Sequence, residues 1–208
     1  QDFNGSETFT ATVTDGTLSA SQNFTVTVNA LNDTPVLAVV EAVSFDEDGL
    51  TSITLVGSDV DGDALAYTIT EGVSINAAVD GATVSFTAAQ DFNGSETFTA
   101  TVTDGTLSAS QNFTVTVNAL NDAPVLAVVD AVSFDEDQSS IINISGSDVD
   151  GDALNYSIAG GTNITALLDG ATVSFTATQD FNGSETFTAT VTDGTLSASQ
   201  NFTVTVNA

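Results

Sequence analysis

The residues of this chain best suited to chemistry are three aspartates at alternate positions, Asp148, Asp150 and Asp152, and their earlier copy, Asp59, Asp61 and Asp63. Each set sits in the string Asp-Val-Asp-Gly-Asp. Carboxylates so spaced repel one another unless a cation lies between them. The chain supplies none, because it has 28 acidic residues and no Lys, Arg or His, for a formal net charge of −28. A bound metal ion is the simplest remedy, and dense carboxylate oxygen suits the hard cation Ca²⁺. A plain acidic turn is the competing reading, since Asp and Gly dominate turns; repetition and the lack of counter-charge weigh against it. An EF-hand loop does not fit, because counting from Asp148 puts Ala153 where the loop needs Gly and Ala159 where it needs Glu.

Composition narrows the alternatives. The charge argues against nucleic acid and anionic membrane as partners. Without Cys there is no disulfide or thiolate site, and without His or Cys zinc lacks its preferred ligands. No side chain is available as a His, Cys, Lys or Arg catalyst, so only carboxylates or hydroxyls could act, and the reading is not an enzyme. No apolar run approaches bilayer length, so membrane insertion of this segment is not expected. Hydrophobic residues still make up 41% of the chain. A core is therefore affordable if the acids are confined to loops.

The elements that must position those loops come from a repeat. The string opening at Gln1 recurs at Gln90 and again at Gln179, a period of 89 residues without a gap. Such a period marks an array of small domains. Within a unit, Phe98, Ala100 and Val102 alternate with threonines, as do Phe113, Val115 and Val117. Period 2 places apolar side chains on one strand face and Thr on the other. Turn signals at Asp48-Gly49, Asp61-Gly62, Asp80-Gly81, Asn93-Gly94 and Asp104-Gly105 separate the strands. The prediction is all-β: tandem immunoglobulin-like, seven-stranded sandwiches with strands A 36–46, B 50–57, C 64–70, D 73–79, E 82–88, F 96–103 and G 107–117. Residues 31–119 and 120–208 are then complete repeats, opened by Pro35 and Pro124. Residues 1–30 are strands F and G alone, the edge of a longer array.

Strand parity places loops B–C and F–G at the top of a unit, beside the incoming linker. Loops A–B and E–F fall at the bottom, beside the exit of strand G. Asp46, Glu47, Asp48 and Asp91 should thus face linker Asn121-Asp122 and the next unit's Asp148, Asp150, Asp152 and Asp193. Phe45, Phe86, Phe98 and Phe113 are read as core, and Phe92 as a plug at the bottom of the sandwich.

The linker, the Asp-x-Asp loop, the A–B glutamate and the F–G Asp-Gly together resemble the cadherin-like, VCBS-type repeats of large RTX-type bacterial surface adhesins. More distantly they resemble animal cadherins. That resemblance implies interdomain Ca²⁺ held by Glu47, Asp91, Asn121, Asp122, Asp148, Asp150 and Asp193. At the earlier junction it implies Asp2, Asn32, Asp33, Asp59, Asp61 and Asp104. It further implies an extracellular extender: a calcium-stiffened rod of repeats holding a binding domain away from the cell, its partners the neighbouring repeats. The alternative is a structural fibre or sheath whose copies pack laterally through threonine faces.

Overall fold

Residues 3–208 are described by a computed structural model, in which the chain divides into two units, Gln1–Ala119 and Leu120–Ala208. Among the described residues all regular structure is β. The first unit begins with a hairpin, β1 (Gly5–Thr14) and β2 (Ser19–Val28), paired in register from Gly5–Val28 to Thr14–Ser19. A complete repeat follows: β3 (Val36–Leu37), β4 (Val43–Asp46), β5 (Leu50–Thr54), β6 (Gly57–Ser58), β7 (Ala66–Ile69), β8 (Ile75–Asp80), β9 (Thr83–Ala88), β10 (Gly94–Thr103) and β11 (Ser108–Asn118). The second unit repeats the pattern with β12 (Val125–Leu126), β13 (Val132–Asp135), β14 (Ser139–Asn143), β15 (Gly146–Ser147) and β16 (Asn155–Gly160). It ends with β17 (Ile164–Asp169), β18 (Thr172–Ala177), β19 (Gly183–Thr192) and β20 (Ser197–Asn207).

In the first repeat one sheet has the order β4-β11-β10-β7 and the facing sheet the order β5-β9-β8. The second repeat has β13-β20-β19-β16 over β14-β18-β17. These are immunoglobulin-like sandwiches, and the alternating pattern explains them. In β10 the residues Phe98, Ala100 and Val102 are fully buried, while the intervening threonines face outward. Phe86 packs edge-on against Phe98 and Phe113, with ring centres 5.5 and 6.1 Å away. Phe175, Phe187 and Phe202 form the matching trio. On the outer face Thr99 donates to Asn112 and Thr101 pairs with Ser110, both at 2.8 Å. Phe92 packs against the lower rim of the first core, with its ring over Gly94.

Two predicted strands are broken. Strand A divides into β3, which pairs antiparallel with β6, and β4, which runs parallel to β11. Strand B divides into β5 and β6 at Leu55-Val56. The chain changes sheets between the two halves of strand A, so one continuous ladder is geometrically impossible. A side chain holds the crossing: Val40 N donates to Gln111 Oε1 at 3.0 Å, and Val129 N to Gln200 Oε1 at 3.2 Å.

Candidate functional site

The top loop of each repeat is built from the backbone outward. Asp59 Oδ1 accepts the N–H of Asp61 at 2.9 Å and that of Asp63 at 3.4 Å, so the first aspartate folds the loop around itself. Gly62 takes the left-handed turn at φ 80°. The second repeat does the same: Asp148 Oδ1 accepts from Asp150 and Asp152 at 3.0 and 3.3 Å, with Gly151 at φ 81°. In consequence Asp59, Asp61 and Asp63 each present an oxygen within 4.8 Å of the others, as do Asp148, Asp150 and Asp152. Asp63 and Asp152 thereby join the candidate ligands as third members.

The linker is tied to these loops by name. Asp33 N donates to Asp61 Oδ2 at 2.8 Å, and Asn32 Nδ2 to Asp104 Oδ2 at 3.0 Å. In the second unit Asp122 N donates to Asp150 Oδ2 at 2.8 Å, and Asn121 Nδ2 to Asp193 Oδ2 at 3.0 Å. The F–G aspartate spends its other oxygen on its own turn, Asp104 Oδ1 accepting from Thr106 and Leu107. These donors hold Asp104 below the usual carboxylate range, the Leu107 N–H foremost; for Asp193 the Asn121 amide leads, ahead of Leu196. Buried Pro35 and Pro124 fix the exit of each linker.

One oxygen in each loop is left over. Asp59 Oδ2 and Asp148 Oδ2 are buried and have no hydrogen-bond partner among the described residues. A buried, unpartnered carboxylate oxygen is costly unless a charge compensates it. No basic side chain exists in the chain, and a hard cation with oxygen ligands fits this donor set.

Asn32, Asp33, Asp59, Asp61 and Asp104 are thus gathered at the top of the first repeat, and Asn121, Asp122, Asp148, Asp150 and Asp193 at the top of the second. Glu47 and Asp91 lie at the bottom of the first repeat. There Glu47 N donates to Asn118 O at 3.0 Å, and Asn118 Nδ2 to Asp46 Oδ1 at 3.0 Å. Asp48 and Asp91 adopt φ of 59° and 55°, a left-handed conformation that Asp tolerates better than most residues. Asp2 lies outside the described residues.

A second carboxylate device was not anticipated from the sequence. Glu96 accepts the N–H groups of Val73 and Ser74 at 2.9 and 2.7 Å, clasping the C–D loop to β10. Glu185 accepts from Thr162, Asn163 and Ile164 at 2.8, 2.9 and 3.0 Å, and from Asn163 Nδ2 at 3.1 Å. The Asn163 N–H leads in holding Glu185 down to about 2, against the opposing effect of burial. Burial likewise opposes ionisation of Glu96, yet the Ser74, Val73 and Ile75 amides outweigh it. A legible signal existed: Glu96 shares the parity of Phe98, Ala100 and Val102, which puts a charge on the apolar stripe.

Fold and loops together define a cadherin-like, immunoglobulin-like repeat. The chain belongs to the bacterial Ig domain family, whose model matches residues 32–118 and again 121–207. Chitinase A of Pseudoalteromonas piscicida is 28% identical over 179 residues, 84% of this chain. This chain spans 22% of that enzyme's length. Among solved structures, human protocadherin-24 EC1-2 superposes with a TM-score of 0.56 at 17% identity, covering 84% of this chain and 99% of that one. Mouse cadherin-23 EC22-24 gives 0.50 at 15% identity over 97% of this chain and 74% of its own. At these identities the likeness is one of fold.

Proposed function

We propose that the chain is an extender segment of a large extracellular bacterial adhesin of the VCBS and RTX type. In this reading it is a non-enzymatic series of β-sandwich repeats stiffened into a rod by Ca²⁺. The observation that supports the metal most strongly is the pair of buried, unpartnered oxygens, Asp59 Oδ2 and Asp148 Oδ2, in loops with no counter-charge. Asp59, Asp61, Asp63, Asp33 and Asp104 would serve the first site, and Asp148, Asp150, Asp152, Asp122 and Asp193 the second. Glu47 and Asp91 would be further ligands, as the resemblance implies. The ion would neutralise the loops and fix the linker to the sandwich it enters. Ligand binding to the native state alone stabilises by roughly 3–4 kcal/mol when free ion exceeds the dissociation constant 100- to 1,000-fold. Melting with calcium and with EGTA tests this. Coincident curves sink the metal reading.

A second reading rests on the chitinase match: the same repeats as a spacer inside a secreted polysaccharide-degrading enzyme. The two part on the sequence of the complete polypeptide, where a hydrolase domain would favour the spacer.

A further inference from the structure

Gln111 shares the register of Phe113, Val115 and Val117 on the apolar face of β11, and Gln200 that of Phe202, Val204 and Val206 on β20. A primary amide on an apolar stripe costs stability unless its groups are bonded, and leucine would fill the place without that cost. Both amides reach the same feature, the segment by which strand A leaves one sheet for the other. Val40 N donates to Gln111 Oε1 at 3.0 Å. Gln200 holds Val129 by both backbone groups: Oε1 accepts its N–H at 3.2 Å, and Nε2 donates to its carbonyl at 3.1 Å.

The topology decides what a pull along the chain does at that segment. The linker enters the first repeat at β3, the chain leaves from the end of β11, and β4 runs parallel to β11 from Val43–Val115 to Asp46–Asn118. A pull therefore draws β4 by its first residue and β11 by its last, in opposite senses along one axis. Their rungs are sheared together rather than opened one at a time. Glu47 N to Asn118 O and Asn118 Nδ2 to Asp46 Oδ1 lock the far end of the ladder. The near end is weaker, because β3 is short and is held through the rungs Val36–Ser58 and Leu37–Gly57 and the bond from Ala38 N to Val56 O. Once β3 slips, the pull passes to the crossing, and the glutamine is the first bond it meets there.

We infer that Gln111 and Gln200 are tension catches. Under a pull along the chain, each stops the release of strand A at the crossing before it reaches the β4–β11 or β13–β20 ladder. The source of the pull rests on the extender reading; the catch itself needs no metal. Gln200 makes two bonds where Gln111 makes one, so the catch of the first repeat yields before that of the second. The far ends do not reverse that order, since Asn207 Nδ2 to Asp135 Oδ1 and Glu136 N to Asn207 O repeat the lock of the first repeat.

The chain has no cysteine, so Ala30→Cys and Ala208→Cys give two handles that leave the hairpin β1–β2 outside the pulled segment. The chain is held at constant force in magnetic tweezers, in calcium and again in EGTA. Each repeat should pause after lengthening by at most about 17 Å, the extended span of Val36–Val40 or its counterpart. It should then unfold in one large step, which also reports that it was folded. Gln111→Leu should shorten the pause of the first repeat about fivefold, for one hydrogen bond lost, and Gln200→Leu that of the second about thirtyfold, for two. Alanine at the same positions serves if a leucine variant lacks its large step. Both effects should appear with and without calcium, so failure of the metal reading leaves them standing. The extender reading is decided by the complete polypeptide and the catch by the pause, so either can fail alone. A pause that neither substitution shortens overturns the inference, as does a first repeat whose pause outlasts that of the second. So does an equal change of the unfolding rate in urea, where no pull singles out strand A; the glutamines would then be ordinary stabilisers.

Discussion

Replacing Glu185 by Gln should destabilise the second repeat at neutral pH and flatten its acid sensitivity. The carboxylate accepts three backbone N–H groups and one amide, all from residues 162–164, and joins that loop to β19. A glutamine keeps one acceptor oxygen and brings two donors that face other donors. The folded carboxyl titrates at about 2 against an ordinary value of 4.5. At roughly 1 kcal/mol or a little more per pH unit that difference is worth at most about 3 kcal/mol. Glu185 is only partly buried, and solvent screening reduces the figure to about 1–2 kcal/mol. The folded value lies below the unfolded one, so the contribution is complete above pH 4.5 and is lost as pH falls from there towards 2. Thermal melts at pH 7 should show the variant lower by roughly 4–15 °C, and the gap should close as the wild type is acidified through that window. Glu7→Gln, the same change in the hairpin where no loop is clasped, is the control and should leave both repeats unmoved. A Glu185→Gln variant that melts with the wild type at pH 7 refutes the clasp as a stabilising device.

Three further outcomes follow from the same geometry. Phe187→Ala should cost about 3–5 kcal/mol in urea unfolding, while Phe9→Ala, in the same sequence context but half-exposed, should cost under about 1 kcal/mol; equal costs would mean that the hairpin face is covered. Gly161→Ala should destabilise by about 1–3 kcal/mol, because φ is 83° and a Cβ would strike Ile164 O and the Phe187 ring, whereas Gly170→Ala, with no atom within 4 Å, should feel only the cost of its φ of 60°. Asp148→Asn should lower calcium affinity in isothermal titration while raising the melting temperature in EGTA, since it removes the charge from the unpartnered oxygen; a variant less stable than wild type in EGTA would show that the oxygen has no unmet charge.

Alternation made the sheets legible. The faces of β10 and β11 are readable from Phe98, Ala100, Val102, Phe113, Val115 and Val117, because a period of 2 has only one buried solution. The exact repeat then transferred that solution across the chain. The break in strand A was not legible, because Val36–Val40 is apolar without alternation and says nothing about which sheet it joins. The choice is made by Gln111, 71 residues away, whose amide receives Val40 N. The Glu96 clasp is a similar case, a tertiary partnership between an on-stripe charge and backbone amides that carry no side-chain signature. The Asp-x-Asp loops were legible as acidic clusters, but not the division of labour between their oxygens.

That division bears on how metal and fold would depend on each other. Asp59 and Asp148 each give one oxygen to backbone N–H groups of their own loop, and Asp104 and Asp193 do so in the F–G turn. Asp61 and Asp150 give one to the linker backbone, and Asn32 and Asn121 reach across to the F–G aspartates. The loops are therefore shaped by hydrogen bonds that need no ion. A cation arriving there meets preorganised ligands, and its binding energy goes chiefly into the charge left on the remaining oxygens and into the linker. Chelation should then loosen linkers and lower melting temperatures while leaving the β-sandwiches folded, which separates these repeats from small metal domains that are unfolded without their ion. A far-ultraviolet circular dichroism spectrum that collapses in EGTA at low temperature would contradict that ordering and make the ion a condition of the fold itself.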